Sequence, residues 1–203
     1  GEILFPWEDL GATKHLDSKL SYQPGRLEFK DVRLRAFDNN RMDVNAVFHL
    51  DDRRNEISGK IHEVDIARFL PSDWLQSAEG RATASFLLKQ NRVKKTEVTT
   101  GHLVVKKGVL STLPILDKIA TYTTSNGYRR LEFEKCECDY QYVKGNITLT
   151  NINIYRRGKG RLKGRVYIGA DRSVSGHLQV GIPKGTLSFV PGAETKVFLA
   201  GAH

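Results

Sequence analysis

Two stretches decide the fold of this 203-residue chain: "RLEFKDVRLRAF" (Arg26–Phe37) and "NITLTNINIYRR" (Asn146–Arg157). In the first, apolar residues alternate as Leu27 and Phe29, skip one step, and resume as Val32 and Leu34. In the second, Ile147 and Leu149 precede the same skip, and Ile152 and Ile154 follow it. Successive strand residues face opposite sides, so a uniform strand does not change phase. A β-bulge does: one extra residue lets the strand bend and keep both apolar segments on one side. The spacing therefore predicts bulges at Lys30-Asp31 and Thr150-Asn151. The alternative is a strand that passes from one packed face to another. Either way the sheet must curl, toward a half-barrel or groove with an apolar inside.

The two stretches are copies. Their offset is 147 − 27 = 120, and it persists: Met42 matches Leu162, Val44 matches Gly164, Ala46 matches Val166 and Phe48 matches Ile168. "ISGKI" (57–61) then matches "VSGHL" (174–178) at 117, and Phe69-Leu70-Pro71 matches Phe189-Val190-Pro191 at 120. The lead-ins "SYQPGR" and "DYQYVKGN" agree loosely. A match of this length marks a duplicated supersecondary unit. Each copy reads as a three-stranded meander followed by a short helical turn ending at Pro. "LEFEKCECDYQY" (131–142) carries a third, partial echo of the slip, at Glu134-Lys135.

Period-two alternation predicts strands near 27–37, 41–50, 56–66, 81–90, 98–105, 129–142, 146–156, 161–169 and 173–182. Turns are expected at "DNNR", "DDRRN", "KKG", "VKGN", "RRGKG" and "GADRS". One clear helix is expected over 113–123, with Pro114 in its first turn and Gly127 beyond its end. A further helical turn is expected around Pro71. The fold class is mainly β: a curved, twisted, mostly antiparallel sheet with a short covering helix. The organisation is a lead-in over 1–19, a first unit over 20–97 and a second over 98–203.

The chain opens at Gly1 without Met and stops after "KVFLAGAH", so it is read as a piece of a longer protein. No run of 18 apolar residues is present. Catalytic signatures are missing: no G-x-S-x-G, no H-E-x-x-H and no Gly-rich phosphate loop. The six histidines are scattered, although His62 and His177 both follow an expected Ser-Gly turn, Ser58-Gly59 and Ser175-Gly176, at nearly equivalent places in the two copies. Asp51-Asp52 and Glu8-Asp9 sit in expected turns, and neighbouring carboxylates make no acid-base pair without a cleft. Cys136 and Cys138 have no further ligand nearby for a metal. A bridge between them would be strained, because i and i+2 side chains run parallel about 6.6 Å apart. They read as two small residues of an apolar face. No enzyme and no cofactor are expected.

The net charge is +9 and the pI about 9.6. Arg161, Lys163 and Arg165 alternate with Leu162, Gly164 and Val166, and Arg33 and Arg35 alternate with Val32 and Leu34. The sheet should therefore have an apolar and a cationic face. A solvated outer surface, anionic headgroups or phosphate backbones would all suit the cationic one. Nucleic acid is not favoured, since few aromatics interleave with the basic cluster. The apolar face must be covered, by a helix, by neighbouring repeats or by an acyl chain, whose burial is worth about 0.8 kcal/mol per CH₂.

The stretch from "GHLVVKKGVLSTLPILDKIATYT" through "YVKGNITL" and "GKGRLKGRV" to "SGHLQVGI" resembles the C-terminal region of AsmA-like proteins. It spans roughly residues 100–192, and its motifs are apolar spacings with Gly and Pro. The resemblance implies a segment of a large envelope protein of diderm bacteria, related to TamB-like and YhdP-like proteins and anchored in the inner membrane. Its curved sheets would form an apolar groove in the periplasm. That groove would pass phospholipid between membranes or otherwise support outer-membrane assembly. The implied partners are phospholipid or another apolar ligand, the membrane through other parts of the parent, and other envelope proteins. The expected groove lining is Val44, Ala46, Phe48, Leu162, Val166, Ile168, Leu178 and Val180. The alternative function is a structural or protein-interaction module with a basic outer face.

Overall fold

The computed structural model describes residues 17–36, 40–69, 78–111, 120–121, 129–158, 160–171 and 173–181. Its strands are β1 (Asp17–Gln23), β2 (Arg26–Ala36), β3 (Asn40–His49), β4 (Arg54–Asp65), β5 (Ala78–Asn91), β6 (Thr96–Ser111), β7 (Arg130–Val143), β8 (Asn146–Arg156), β9 (Gly160–Ile168) and β10 (Val174–Gly181). They form one antiparallel sheet in chain order, not closed into a barrel. Among the described residues one 3₁₀ turn, Ile66–Phe69, follows β4; Pro71, around which a helical turn is expected, lies outside them. Of the helix expected over 113–123, Ala120 and Thr121 are described and helical, and the rest lies outside the described residues. The Pro191 end of the second copy also lies outside them.

Both expected bulges are present. β2 shifts register between Phe29 and Val32, and β8 between Leu149 and Ile152. Asp31 and Asn151 adopt φ of 54° and 51°, a left-handed conformation that Asn and Asp tolerate better than most residues. The duplication is visible in the pairing itself. Phe29 pairs with Ala46 and Val32 with Val44, while Leu149 pairs with Val166 and Ile152 with Gly164. The equivalent residues of β2–β3 and β8–β9 thus meet at the same 120-residue offset. β1 and β7 obey it too: Tyr22 pairs with Leu27, and Tyr142 with Ile147.

Three expectations are corrected. First, the echo at Glu134-Lys135 is not a register shift of β7. Lys106 pairs with Lys135 and Gly108 with Phe133, in unbroken register. The shift at that level lies one strand earlier, between β5 and β6, where Lys107 has φ 52°. β6 and β7 change phase together, so neither slips against the other. Second, "KKG" (106–108) is therefore this bulge, not a turn, and β6 continues to Ser111. Third, the "ISGKI" and "VSGHL" segments are not structurally equivalent. Val44 pairs with Gly59, but its counterpart Gly164 pairs with Leu178. In the sheet, β4 and β10 are related by 119 residues, so the sequence match at 117 sits two residues out of place. Both Ser-Gly pairs lie within strands.

A fourth bulge, at His62-Glu63 of β4, shifts register against β5, and Glu63 has φ 54°. Each even-numbered strand from β2 to β8 thus carries one left-handed, non-glycine residue. Such bulges sharpen twist and bend the strand, which is how a wide sheet acquires curvature.

The core lies on one face. Nine buried residues of β2–β5, among them Met42, Val44, Ile57, Ile61, Val64 and Phe86, form a first cluster. Ala82, Val105, Phe133, Cys138, Ile152, Ile154 and Leu162 form a second over β5–β9. Along one cross-strand row, Gly59 faces Phe86, Phe86 faces Gly101 and Gly101 faces Tyr140. A Cβ at Gly59 would lie 2.7 Å from the Phe86 ring, and one at Gly101 2.6 Å from the Tyr140 ring. The rings thus occupy the space that the glycines leave open on the sheet they belong to, an arrangement that stabilises curved sheets. Tyr140 reaches over Gly101 and donates its hydroxyl to the Ser85 carbonyl at 3.1 Å. Burial pushes the Tyr140 phenol up to about 12.

Candidate functional site

The apolar face is continuous from edge to edge. One row runs Phe29, Ala46, Ile57, Leu88, Thr99, Tyr142, Ile147, Ile168, Val174, each paired with the next. Leu20 of β1 pairs with Phe29 and extends the row to the first edge. At the two edges apolar residues are open: Leu20 is 62% and Tyr22 67% exposed, Val174 51% and Val180 36%. Between the edges the face is largely buried, with Tyr142 of the same row 36% exposed. The expected lining residues all point to this face, but not into one channel. Val44, Ala46 and Phe48 belong to the first cluster; Leu162, Val166 and Leu178 belong to the second. Ile168 is half-buried at the end of its row, and Val180 stands at the β10 edge. Phe48 meets Phe29 edge to face, with centroids 6.0 Å apart.

Cys136 and Cys138 lie on this apolar face as free thiols. Burial pushes them up to about 12 and about 11, respectively, so neither is a ready thiolate for metal or nucleophilic chemistry. Among the described residues no group of His, Cys, Asp and Glu is arranged to hold a metal ion, and no helix is long and apolar enough to cross a membrane.

The opposite face is polar, and the basic residues fall where alternation puts them. They do not form one patch. Arg33 and Arg35 stand on β2, across from Asp43 and Arg41. Arg161, Lys163 and Arg165 stand on β9, with six strands between. Around β9 they meet residues the sequence did not group with them. Thr150, Asn151 and Asn153 of β8, His177 and Gln179 of β10 and Glu137 of β7 complete a shallow basin of about 710 Å³. Thr150 and Asn151 of its lining are the two residues of the β8 bulge. Only the pairing reveals this grouping, since β10 enters by its register and not by any sequence motif.

Two His–Asp pairs tie the same face. His62 Nε2 lies 3.1 Å from Asp43 Oδ2, and His102 Nδ1 lies 2.7 Å from Asp139 Oδ1. His62 and His177 are not equivalent. His62 is half-buried against Asp43, whereas His177 is exposed and pairs with Arg165 in the ladder. Asp139 also accepts from Asn151 Nδ2 at 2.7 Å. Hydrogen bonds from Asn151 and then from His102 hold its carboxyl below the usual carboxylate range. In the first copy the equivalent contact is reversed in chemistry: Lys19, at the Asp139 position, binds Asp31, at the Asn151 position, at 3.1 Å. Both bulge tips are thus tethered to the preceding strand.

Comparison with family models, curated proteins and solved structures finds no match to this chain.

Proposed function

We propose that the chain is a non-enzymatic segment of an AsmA-like envelope protein, exposed to the periplasm, that handles phospholipid along the apolar face of its sheet. The observation that supports this reading is the unbroken apolar face of an open sheet whose two edge strands leave Leu20, Tyr22, Val174 and Val180 exposed on that same side. Exposed apolar surface continuous with a core marks an interaction site. Acyl chains suit it, because they need area and no polar partner. The packed centre makes the rims the points of entry, so the lipid would lie along the edge strands and contact the rows from outside.

The alternative is a structural or protein-interaction module. The near-complete burial of Met42, Ile61, Val64 and Val105 favours it, since a face already packed offers little room. The purified chain should be incubated with a mixed phospholipid extract and analysed by native mass spectrometry. Bound phospholipid that is lost in Leu20→Asp and Val180→Asp, with the melting temperature kept, supports lipid handling. No lipid on the native chain, with both variants equally stable, sinks it in favour of the module.

A further inference from the structure

We infer that the basin on the polar face of β8–β10 binds a small phosphate-bearing ligand, such as a pyrophosphate or phosphomonoester group. This site lies on the face opposite the lipid reading and does not depend on it.

The duplication supplies an internal control. Arg41, Asp43 and Asn45 of β3 occupy the places that Arg161, Lys163 and Arg165 hold in β9, at the offset of 120. In the first copy the charges close on themselves. Arg41 Nε donates to Asp43 Oδ1 at 3.0 Å, Asp43 also meets His62, and Asn45 Oδ1 accepts the Asp31 backbone N–H at 2.9 Å. In the second copy the central acid is a lysine and the asparagine an arginine. The frame is the same, and the compensation is gone.

The acids near the basin are already engaged. Glu137 takes Lys135 at 2.5 Å and Asn153 at 2.7 Å. Asp139 takes His102 and Asn151. Arg161 Nε donates to the neutral Asn153, and no ion pair engages Arg161, Lys163 or Arg165 among the described residues. All three are exposed, as are His177 and Gln179.

The geometry suits an anion. Side chains two apart on β9 stand roughly 7 Å apart, and cross-strand neighbours about 5 Å. His177 pairs with Arg165 and Gln179 with Lys163, so a column of cations on β9 stands beside a column of hydrogen-bonding side chains on β10. A phosphate group can accept from two cations at once there, with charge-assisted hydrogen bonds, which are the stronger kind. The concavity distinguishes this from a flat basic surface suited to a membrane.

The test uses the variant that carries the first copy's residues, Lys163→Asp with Arg165→Asn, a combination the same frame already accommodates in β3. Pyrophosphate is titrated into the full chain by calorimetry at low salt, and both proteins are checked for equal melting temperature. Binding by the native chain that weakens by roughly a hundredfold in the variant, as loss of two charged contacts requires, supports the site. Pyrophosphate affinity unchanged in the variant overturns it. So does a native chain that ignores pyrophosphate and phosphomonoesters yet sediments with phosphatidylglycerol vesicles, because the face would then serve a membrane surface.

Discussion

Asn151 and Asp31 hold the sheet's bends at single residues. A left-handed conformation costs an ordinary L-residue roughly 1–2 kcal/mol, and these two offset it with side-chain and backbone tethers. Asn151→Ala should therefore destabilise by about 1–2 kcal/mol, combining the left-handed penalty with the lost bond to Asp139. Thr150→Ala, one residue away, should cost less than about 0.5 kcal/mol. Urea denaturation of the two variants decides this, and equal losses would remove the bulge from its special place. Gly101 is the complementary case, where the need is space. Gly101→Ala would drive a methyl into the Tyr140 ring, and such overpacking costs about 1–3 kcal/mol. It should also release the Tyr140 hydroxyl from Ser85. Ultraviolet titration would then show the phenol, which burial pushes up to about 12, moving down toward the ordinary tyrosine value.

At the scale of strands, period-two alternation located nine of the ten. β1 escaped because "DSKLSYQ" carries only Leu20 and Tyr22 as large apolar residues, and an edge strand with open side chains leaves little pattern. β6 was cut short because Lys-Lys-Gly has turn chemistry whether it ends a strand or bulges one. The bulges at 31 and 151 were legible because apolar residues flank them closely on both sides. The bulge at 63 has the same close flanks, Ile61 and Val64, but Gly59 breaks the alternation just before them; the one at 107 was hidden, since the phase change after Val105 passes through Gly108, which buries no side chain to mark it. The grouping of β9 cations with β10 donors depended on register, which a two-residue slip in the sequence match obscured. What the sequence could not show at all was the tie across β6, β7 and β8, where Asp139 accepts from both His102 and Asn151. Its carboxyl is held below the usual range, so its contribution is present above the unfolded-state value and fades as pH falls through the folded one. Stability should thus decline as pH falls from the ordinary carboxylate range toward the folded-state value, a dependence that an unshifted carboxylate would not produce. Asp139→Asn should flatten the melting temperature over that acidic window relative to the native chain; an unchanged acid profile would show that the tie carries no stability.

The molecule as a whole is a ribbon of strands, each packed chiefly on its chain neighbours. Stability in such an architecture accumulates as neighbour terms, as it does in repeat proteins. The two core clusters sharpen the expectation. Met42 is fully buried in the first, while Val105 and Phe133 anchor the second, and β5 joins them through Phe86 on one side and Ala82 on the other. Removing a large side chain from one cluster leaves a cavity that its immediate neighbours feel, at about 2–5 kcal/mol for Met→Ala. Met42→Ala should accordingly open β2–β4 before β7–β9. Hydrogen exchange would report it as protection lost from residues 26–65 while residues 130–168 keep theirs. Uniform loss across all ten strands would mean that the sheet unfolds as one cooperative body and that β5 transmits the defect in full. The aromatic row makes this a real contest, because Tyr140 of β7 packs against the first cluster although its strand supplies Phe133 and Cys138 to the second. One ring and one shared strand couple the clusters more weakly than the several strands inside each cluster couple its own members, and local opening is the expected result.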